Sequence, residues 1–360
     1  MSAAGLKRID LALQGGGSHG ALTWGIIDRL LEDERIGISA MSGTSAGAMN
    51  AVVVADGLEQ GGRAGARAAL ETFWRAVSDA AKFSPIQRTL WDRMTGNWSL
   101  DRSPLYLMFE QFSRTFSPYE WNWLDINPLR DLLDAQVDFE RVNRCGQTKV
   151  FVTATNVRTG RAKIFTQPQL SVDTIMASAC LPFMFKAVEI DGEAYWDGGY
   201  IGNPALYPLV GDRQSRDLVV CQINPLVREE LPTSGRAILN RLNEITFNSS
   251  LLKELRAIEL LHELLEMEGF ETERYRSMFM HLIHAHEDLQ HLDASSKLNA
   301  EWEYLLYLKE QGRAWAADFL HNHFDDIGVR GTLDIKKLFA DSFQPPSLQE
   351  PARSDDSAAE

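Results

Sequence analysis

The sequence has few cysteines and no basic run. Its three cysteines, Cys145, Cys180 and Cys221, are widely spaced and odd in number, which favours reduced thiols over a disulfide framework. No group of Cys and His residues has the spacing of a zinc site. The formal net charge of −14 argues against nucleic acid as a partner and against strong attraction to anionic membranes. We therefore expect any lipid contact to be local and apolar.

Long apolar runs are also missing from the chain. No segment of about eighteen residues is both apolar and free of charge, so we expect no membrane span. The first residues lack the apolar stretch of a secretory signal. These features predict a cytoplasmic protein, with peripheral contact with a membrane or lipid inclusion left open. The sequence does not indicate the oligomeric state.

The most informative residues form two glycine-rich turns, at 14–20 (Gln-Gly-Gly-Gly-Ser-His-Gly) and 43–47 (Gly-Thr-Ser-Ala-Gly). Each turn follows a short apolar segment and precedes a helical pattern, so both are predicted at one edge of a parallel sheet. The second turn holds Ser45 in the G-x-S-x-G arrangement of a nucleophile elbow. The first turn offers backbone N–H groups with no side chains in the way. Together they predict a nucleophile beside an oxyanion hole, and hence acyl transfer.

The order of these patterns predicts an α/β fold whose parallel sheet is joined by crossover helices. We expect a catalytic core over residues 1–230, interrupted at about 83–134 by an aromatic-rich insertion of short helices that covers the site. Residues 231–340 are predicted to form a helical region that packs on the core. Residues 341–360 are predicted to be a disordered acidic tail.

Two other interpretations of the glycine-rich turns remain open. Ser45 also has the position of a helix cap, and short G-x-S-x-G matches arise by chance. Gly15, Gly17 and Gly20 fit the G-x-G-x-x-G pattern of a dinucleotide-binding loop. That pattern needs an acidic residue at the end of the second strand, whereas residues 41–43 are Met-Ser-Gly. The dinucleotide interpretation is therefore disfavoured.

A serine nucleophile needs a base, and the histidines do not offer one. Apart from His19 they lie in the C-terminal third, mostly in polar helical context, and are expected on the surface: His262, His281, His284, His286, His291, His321 and His323. Asp197 is better placed, because it ends the second strand of a predicted hairpin and enters a turn with Gly198 and Gly199. Its carboxylate can approach another loop at the sheet edge. The alternative for Asp197 is an ordinary Asp-Gly turn.

Taken together, these motifs resemble the patatin-like phospholipases. The family has a glycine-rich oxyanion loop, a G-x-S-x-G elbow and a downstream Asp-Gly-Gly or Asp-Gly-Ala, in the order and approximate spacing found here over residues 6–208. Residues 151–155 and 177–182 also match the family. The resemblance implies a three-layer α/β/α fold of the patatin type with a mostly parallel central sheet. The C-terminal helical third lies outside it.

The resemblance further implies a Ser-Asp dyad with no histidine relay. Ser45 would be the nucleophile, Asp197 the general base, and the amides of Gly15, Gly16 and Gly17 the oxyanion hole. The glycines that would support these motifs are Gly20, Gly43, Gly47, Gly198 and Gly199. Such a dyad needs neither a metal nor a cofactor.

The implied substrate is a lipid acyl ester, first of all a phospholipid or lysophospholipid. An acylglycerol or a storage polyester is a close alternative. A non-catalytic lipid-binding or partner-binding protein is an alternative of another class, and the intact Ser45 and Asp197 argue against it.

The roles of His19 and of the aromatic insertion are less defined. The family loop usually carries Arg or Lys where this chain has His19, which is expected to hydrogen-bond within its own loop. The aromatic residues between Trp91 and Trp123 form either a core and cap, or a lid or interfacial patch that admits acyl chains. In both cases they would line an apolar channel to Ser45.

Overall fold

A central β-sheet organises the computed structural model, which describes residues 6–212, 215–268, 277–284 and 292–339. The strands are β1 (Lys7–Leu13), β2 (Ile36–Gly43), β3 (Lys149–Asn156), β4 (Ala162–Thr166), β5 (Val188–Ile190), β6 (Glu193–Asp197), β7 (Asp217–Cys221) and β8 (Phe279–Ile283). Their order across the described sheet is β5-β6-β3-β2-β1-β7-β8, and β4 also pairs with β3. The five strands from β3 to β8 along this order pair in parallel.

The helices cover this sheet and fill the segments between its strands. They are α1 (Gly20–Glu32), α2 (Ala46–Ala81), α3 (Leu90–Met94), α4 (Pro104–Thr115), α5 (Pro118–Trp121), α6 (Pro128–Gln136), α7 (Phe139–Arg144), α8 (Val172–Ser178), α9 (Tyr207–Asp212), α10 (Gly235–Glu268), α11 (Trp302–His323) and α12 (Ile335–Phe339). Short 3-10 turns lie at Gly17–His19, Gly198–Tyr200 and Ser295–Leu298.

The strand register brings three chain segments to one edge of the sheet. Leu13, the last residue of β1, lies opposite Gly43 of β2 and opposite Cys221 of β7. The segments that follow β1, β2 and β7 therefore meet at this edge, as the sequence predicts for the first two. On β3, Gly43 lies opposite Val152, and Asp197 of β6 lies opposite Ala154. Measured along β3, the partners of Asp197 and Gly43 are therefore only two residues apart.

Both faces of the sheet are buried, which confirms the three-layer α/β/α prediction. Successive strand side chains point to opposite faces, so Ile9, Leu11 and Leu13 of β1 join a large cluster with α1, α2 and α11. Ala12 and Leu218 belong to a second cluster with α9, α10 and α12. The fold is therefore mixed α/β with a central, mostly parallel sheet.

Local sequence signals explain several boundaries. The helices α4, α5 and α6 each begin with proline, which suits the first helical position because its missing N–H would be unpaired there. The hairpin predicted before Asp197 is confirmed as β5–β6, and β3–β4 forms another hairpin. The helix that follows the Ser45 turn, α2, continues to Ala81 across a non-helical break at Gly61 and Gly62.

The helix α11 packs directly on α1 through glycines. A Cβ added to Gly25 of α1 would overlap the main chain at Lys309 of α11, and a Cβ on Gly312 would overlap the main chain at Leu22. This close backbone contact fixes α11, and the turn that precedes it, against the first helix. Residues 341–360, predicted as an acidic tail, lie outside the described residues.

Candidate active site

Ser45 lies in a strained elbow between β2 and α2. Its φ of 54° and ψ of −121° are unfavourable for a residue with a side chain. The turn is closed by Gly47, whose N–H donates to the Thr44 carbonyl at 2.8 Å, and a Cβ on Gly43 would lie only 2.6 Å from the main chain of Gly47. The Ser45 side chain makes no capping hydrogen bond to the helix. Ser45 therefore stands at the N-cap position of α2 without acting as a side-chain cap.

The glycine loop packs directly on this elbow. A Cβ on Gly15 would lie 2.8 Å from the Ser45 Cβ, so only glycine allows the two turns to be this close. The Gly15 N–H donates to Asn203 Oδ1 at 2.7 Å. Among the described residues, the N–H groups of Gly16 and Gly17 have no acceptor, and both glycines are solvent-accessible. These two amides are thus available to a ligand beside Ser45.

Asp197 is held at the end of β6 by three main-chain contacts. Its Oδ1 accepts from the Gly199 N–H at 2.7 Å, its own N–H donates to the Cys180 carbonyl at 2.8 Å, and its carbonyl accepts from Thr155 Oγ1 at 2.8 Å. Its exposed fraction is 1%. The adjoining Gly198 is packed too closely on the Thr153 carbonyl for any side chain. The carboxylate is therefore fixed in a dry position.

Burial raises the pKa of Asp197 to about 7, although the Gly199 amide, the Ser45 hydroxyl and the Lys297 ammonium each lower it. The lowering by Ser45 places its hydroxyl near the carboxylate. A carboxylate with this pKa is a much better proton acceptor near neutral pH than an exposed one.

A network of buried amides supports the glycine loop, and sequence reasoning missed it. Gln14 Oε1 accepts from the N–H groups of Ile223 and Asn224, and Gln14 Nε2 donates to Asn248 Oδ1 at 3.1 Å. Asn224 Nδ2 donates to the Gly15 carbonyl at 2.8 Å. Because these partners are far apart in sequence, no local motif marks them.

A second missed residue supports the elbow itself. Ser178, at the end of α8, accepts the Ser45 N–H with its Oγ at 2.9 Å. Its side chain is fully buried. Ser178 lies within the segment 177–182 that contributes to the family resemblance, but only the structure shows why a hydroxyl is useful there.

The side chain of His19 bonds outside its own loop, contrary to expectation, although its N–H donates to the Gly16 carbonyl. Its Nε2 is 2.8 Å from Ser296 Oγ, in the Ser295–Leu298 turn that precedes α11. Burial lowers the pKa of His19 well below its ordinary value, and the nearby cations Lys297 and Arg228 lower it further. His19 is therefore neutral and brings no charge to the loop.

The expected surface position is wrong for His281. It is fully buried on β8, with Nε2 3.0 Å from Asp217 Oδ1 and Nδ1 3.0 Å from Thr332 Oγ1. Asp217 begins β7, so this pair lies towards the end of the sheet opposite to Ser45. His286 and His291 lie outside the described residues.

A cavity of about 530 Å³ adjoins Asp197 through Cys180, although neither Ser45 nor Asp197 is among its lining residues. Its walls include Met176, Phe185, Arg130 and Lys186, together with Cys180, whose carbonyl accepts the Asp197 N–H. Apolar and charged groups thus share one cavity whose wall is hydrogen-bonded to Asp197. Residues of the predicted insertion, among them Tyr119, Asp125 and Asn127, also line it.

Neither a metal-ligand cluster nor a membrane-spanning helix occurs among the described residues. Within those residues, no three His, Cys, Asp or Glu side chains come together as a metal site. No helix in the same part of the chain is long and apolar enough to cross a membrane.

Comparison with known proteins places these motifs in a family. The model of the patatin-like phospholipase family matches residues 11–210, more than half of the chain. No curated protein matches. Among solved structures, VipD from Legionella pneumophila is similar at 14% identity and a TM-score of 0.35, over 85% of this chain and 67% of that one. ExoU, in its heterodimeric complex with SpcU from the type III secretion system of Pseudomonas aeruginosa, is similar at 16% identity and a TM-score of 0.37.

The ExoU–SpcU similarity covers 89% of this chain and 52% of the other, so the chain spans about half to two thirds of the solved chains it matches. The family match itself contains Ser45, the glycine loop and Asp197. On that match, the chain belongs to the patatin-like phospholipases, a family of lipid acyl hydrolases.

Proposed function

We propose that this protein is a serine lipid acyl hydrolase in which Ser45 is the nucleophile and Asp197 the general base. The observation that carries the proposal is the contact of three turns. The strained Ser45 elbow packs on the glycine loop on one side, and the buried Asp197 carboxylate lies near its hydroxyl on the other. A helix cap or a structural turn would require neither the strain nor the buried acid.

The first half of the reaction transfers the acyl group to the protein. Ser45 Oγ attacks the ester carbonyl carbon while its proton passes to the Asp197 carboxylate. The negative charge on the carbonyl oxygen is stabilised by the N–H groups of Gly16 and Gly17, because the Gly15 N–H already donates to Asn203. Collapse of the tetrahedral intermediate breaks the ester C–O bond, and the leaving alcohol takes the proton from Asp197.

The second half releases the acyl group as a carboxylic acid. Water attacks the acyl-serine carbonyl and gives its proton to Asp197, and the same two amides hold the new oxyanion. Ser45 leaves as the alcohol when Asp197 returns that proton. His19 takes no part, since it is neutral and bonded to Ser296.

The cavity beside Asp197 supports phospholipid as the first substrate class. Met176 and Phe185 offer apolar contact to an acyl chain, and Lys186 offers a cation that a phosphate would use and an acylglycerol would not, whereas Arg130 is already paired with Asp173 of the same lining. Large apolar side chains around this opening are also exposed, including Trp123 (73%) and Phe183 (62%). The Trp123 carbonyl accepts from Lys186 Nζ at 3.1 Å, which joins the exposed surface to the cavity.

Such an apolar surface suits contact with a lipid interface better than contact with water. We therefore propose peripheral binding to zwitterionic or neutral lipid, since the formal net charge of −14 opposes binding to anionic lipid. The cysteines Cys145, Cys180 and Cys221 are free thiols, which supports a reducing, cytoplasmic location.

The decisive experiment compares the wild type with Ser45→Ala for fluorophosphonate labelling and for release of fatty acid. We expect the substitution to abolish labelling and to lower turnover by at least about 10³-fold, because the covalent intermediate cannot form. Thermal melting checks that the variant remains folded. Undiminished labelling of folded Ser45→Ala would overturn the assignment.

The same experiment, run on a substrate panel, tests the lipid class. Phosphatidylcholine and lysophosphatidylcholine should be hydrolysed faster than a triacylglycerol or a 3-hydroxyalkanoate polyester, and vesicles faster than the same lipid below its aggregation concentration. Preference for the polyester would favour a depolymerase. Labelling-negative wild type that still binds vesicles would favour a non-catalytic lipid-binding protein.

A further inference from the structure

The Ser295–Leu298 turn lies directly on the glycine loop. A Cβ on Gly17 would overlap the carbonyl group of Lys297, and Ser296 holds His19 from the same turn. The close contact of α11 with α1 fixes the position of this turn. A segment outside the family match therefore forms one wall of the proposed oxyanion hole.

The Lys297 side chain reaches the support of that loop. Its Nζ donates to Asn224 Oδ1 at 2.7 Å, and Asn224 Nδ2 donates to the Gly15 carbonyl at 2.8 Å. Gly15 in turn packs on the Ser45 Cβ. One asparagine thus separates the ammonium of a partly buried lysine from the glycine that contacts Ser45.

The charges around this ammonium are few. Burial lowers the pKa of Lys297, Arg228 lowers it as well, and the acids Glu244 and Asp197 raise it. Arg228 is already paired with Glu244 at 2.6 Å. Since His19 is neutral, Lys297 is left as a cation facing the Asp197 carboxylate.

The other titratable groups near Asp197 carry no charge in the working pH range. Burial raises the pKa of the Cys180 thiol and of the Tyr200 hydroxyl to about 12 in each case, with Asp197 itself adding to both shifts. Among the groups that lower the pKa of Asp197, the Gly199 amide and the Ser45 hydroxyl contribute more than Lys297, which is the one full positive charge among them. Loss of that charge would therefore change the electrostatic environment of Asp197 without removing a hydrogen bond to it.

We propose that Lys297 is a positioning residue of the acyl-transfer site, whose ammonium keeps Asp197 in its proton-accepting carboxylate form and favours negative charge at the glycine loop. The inference rests on the proposed Ser45–Asp197 function. It adds a charged residue from the C-terminal region to a site whose other members lie in the family-matched segment. Lys297 does not contact the reacting atoms. It acts through Asn224 and through its field on Asp197.

The test is the pH dependence of kcat/KM and of the fluorophosphonate labelling rate in Lys297→Met. Asp197 must be ionised to accept the proton, so activity rises with pH through a limb near 7. Loss of the cation raises the pKa of Asp197 and moves this limb to higher pH, by about 0.5–1 unit. We also expect kcat at pH 7 to fall about 10-fold while KM changes less than about 2-fold.

Matched controls separate charge from packing. Lys309→Met removes another mostly buried lysine of the C-terminal region, stacked 4.4 Å over the Trp24 ring, and should leave the pH limb in place. Lys297→Arg keeps the charge and should keep the wild-type limb even if kcat falls. Should Lys297→Met melt early, Lys297→Gln provides the neutral variant.

The outcomes are distinguishable from failure of the proposed function. An unshifted limb in folded Lys297→Met or Lys297→Gln, with labelling still dependent on Ser45, overturns the role of Lys297 alone. A limb that shifts equally in Lys297→Arg and Lys297→Met also overturns it, because charge would not be the cause. Labelling that survives Ser45→Ala overturns the proposed function and with it this inference.

Discussion

The segment matched by the family model and the segment after it contribute different things to one site. Residues 11–210 supply Ser45, the glycine loop and Asp197. Residues after 215 add further side chains around these groups, namely Asn224, Asn248, Ser296 and Lys297, to the support that Ser178 and Asn203 give within the matched segment. The comparison shows that the reacting groups lie on short local motifs, whereas their electrostatic and steric support comes from residues that are far away in the sequence.

The largest effect is expected inside the family-matched segment, at the base. Asp197→Asn keeps the size of the side chain and an oxygen for the Gly199 N–H, but it cannot accept the Ser45 proton. We expect kcat to fall by about 10³–10⁴-fold with the fold retained. The measurement is steady-state hydrolysis together with the pH profile, whose acid limb should disappear.

Asp191→Asn is the matched control for this change. Asp191 lies in the turn of the same hairpin, with a positive φ that asparagine also tolerates. Its activity should equal that of the wild type. If Asp197→Asn retained most of its activity, the proton acceptor would have to be sought in the C-terminal region and the comparison would be reversed.

An intermediate effect is expected where the two segments touch. Gly17→Ala places a methyl group against the Lys297 carbonyl at a residue whose φ is +58°. The loop must shift, which displaces an amide from the oxyanion, so we expect kcat to fall by about 10²–10³-fold. Steady-state kinetics on the folded variant measures this loss.

Gly160→Ala separates backbone strain from that contact. Gly160 has a similar φ of +64°, but a Cβ there would meet nothing within 4 Å. Its cost should therefore be confined to stability, about 1–2 kcal/mol. Equal losses of activity in both variants would show that the contact with the Lys297 carbonyl is irrelevant to the loop.

The smallest effect on activity, and a measurable one on stability, is expected in the C-terminal segment. Ser296→Ala leaves the buried His19 ring without its partner at Ser296 Oγ. An unsatisfied buried polar group costs about 1–3 kcal/mol, which urea unfolding would detect. Ser249→Ala, which removes a local hydroxyl bond to the Thr246 carbonyl, should cost less than about 0.5 kcal/mol. Equal costs would argue that Ser296 adds nothing to the loop.

Much of the site can be predicted from local sequence, because each of its motifs spans only a few residues. The Ser45 elbow, the glycine loop and the Asp197 hairpin are each defined by residues within a few positions, whose backbone conformations glycine permits. The register of parallel strands then places the first two together. Their chemical roles remain a proposal, but their placement follows from pattern alone.

The supporting contacts could not be predicted because they join residues far apart. His19 and Ser296 are separated by 277 positions, and Lys297 reaches Asn224 across 73. No propensity or spacing rule relates such pairs. The predicted surface position of His281 was wrong for a similar reason, since the burial of this histidine depends on Asp217, 64 positions away. The apolar residues on either side of His281 are typical of a strand, but they give no sign of a buried acceptor on the neighbouring strand.

The strand order shows why a fragment of this protein should not end where the family match ends. β1, which leads into the glycine loop, lies between β2 and β7, yet the match ends at residue 210, before β7 begins. A gene fragment cut at that boundary would leave one hydrogen-bonding edge of β1 bare, a surface prone to pairing with other chains. The segment that the family model matches is therefore smaller than the segment needed to pair β1 on both edges. Domain-swap experiments on this protein should keep both β2 and β7 beside β1.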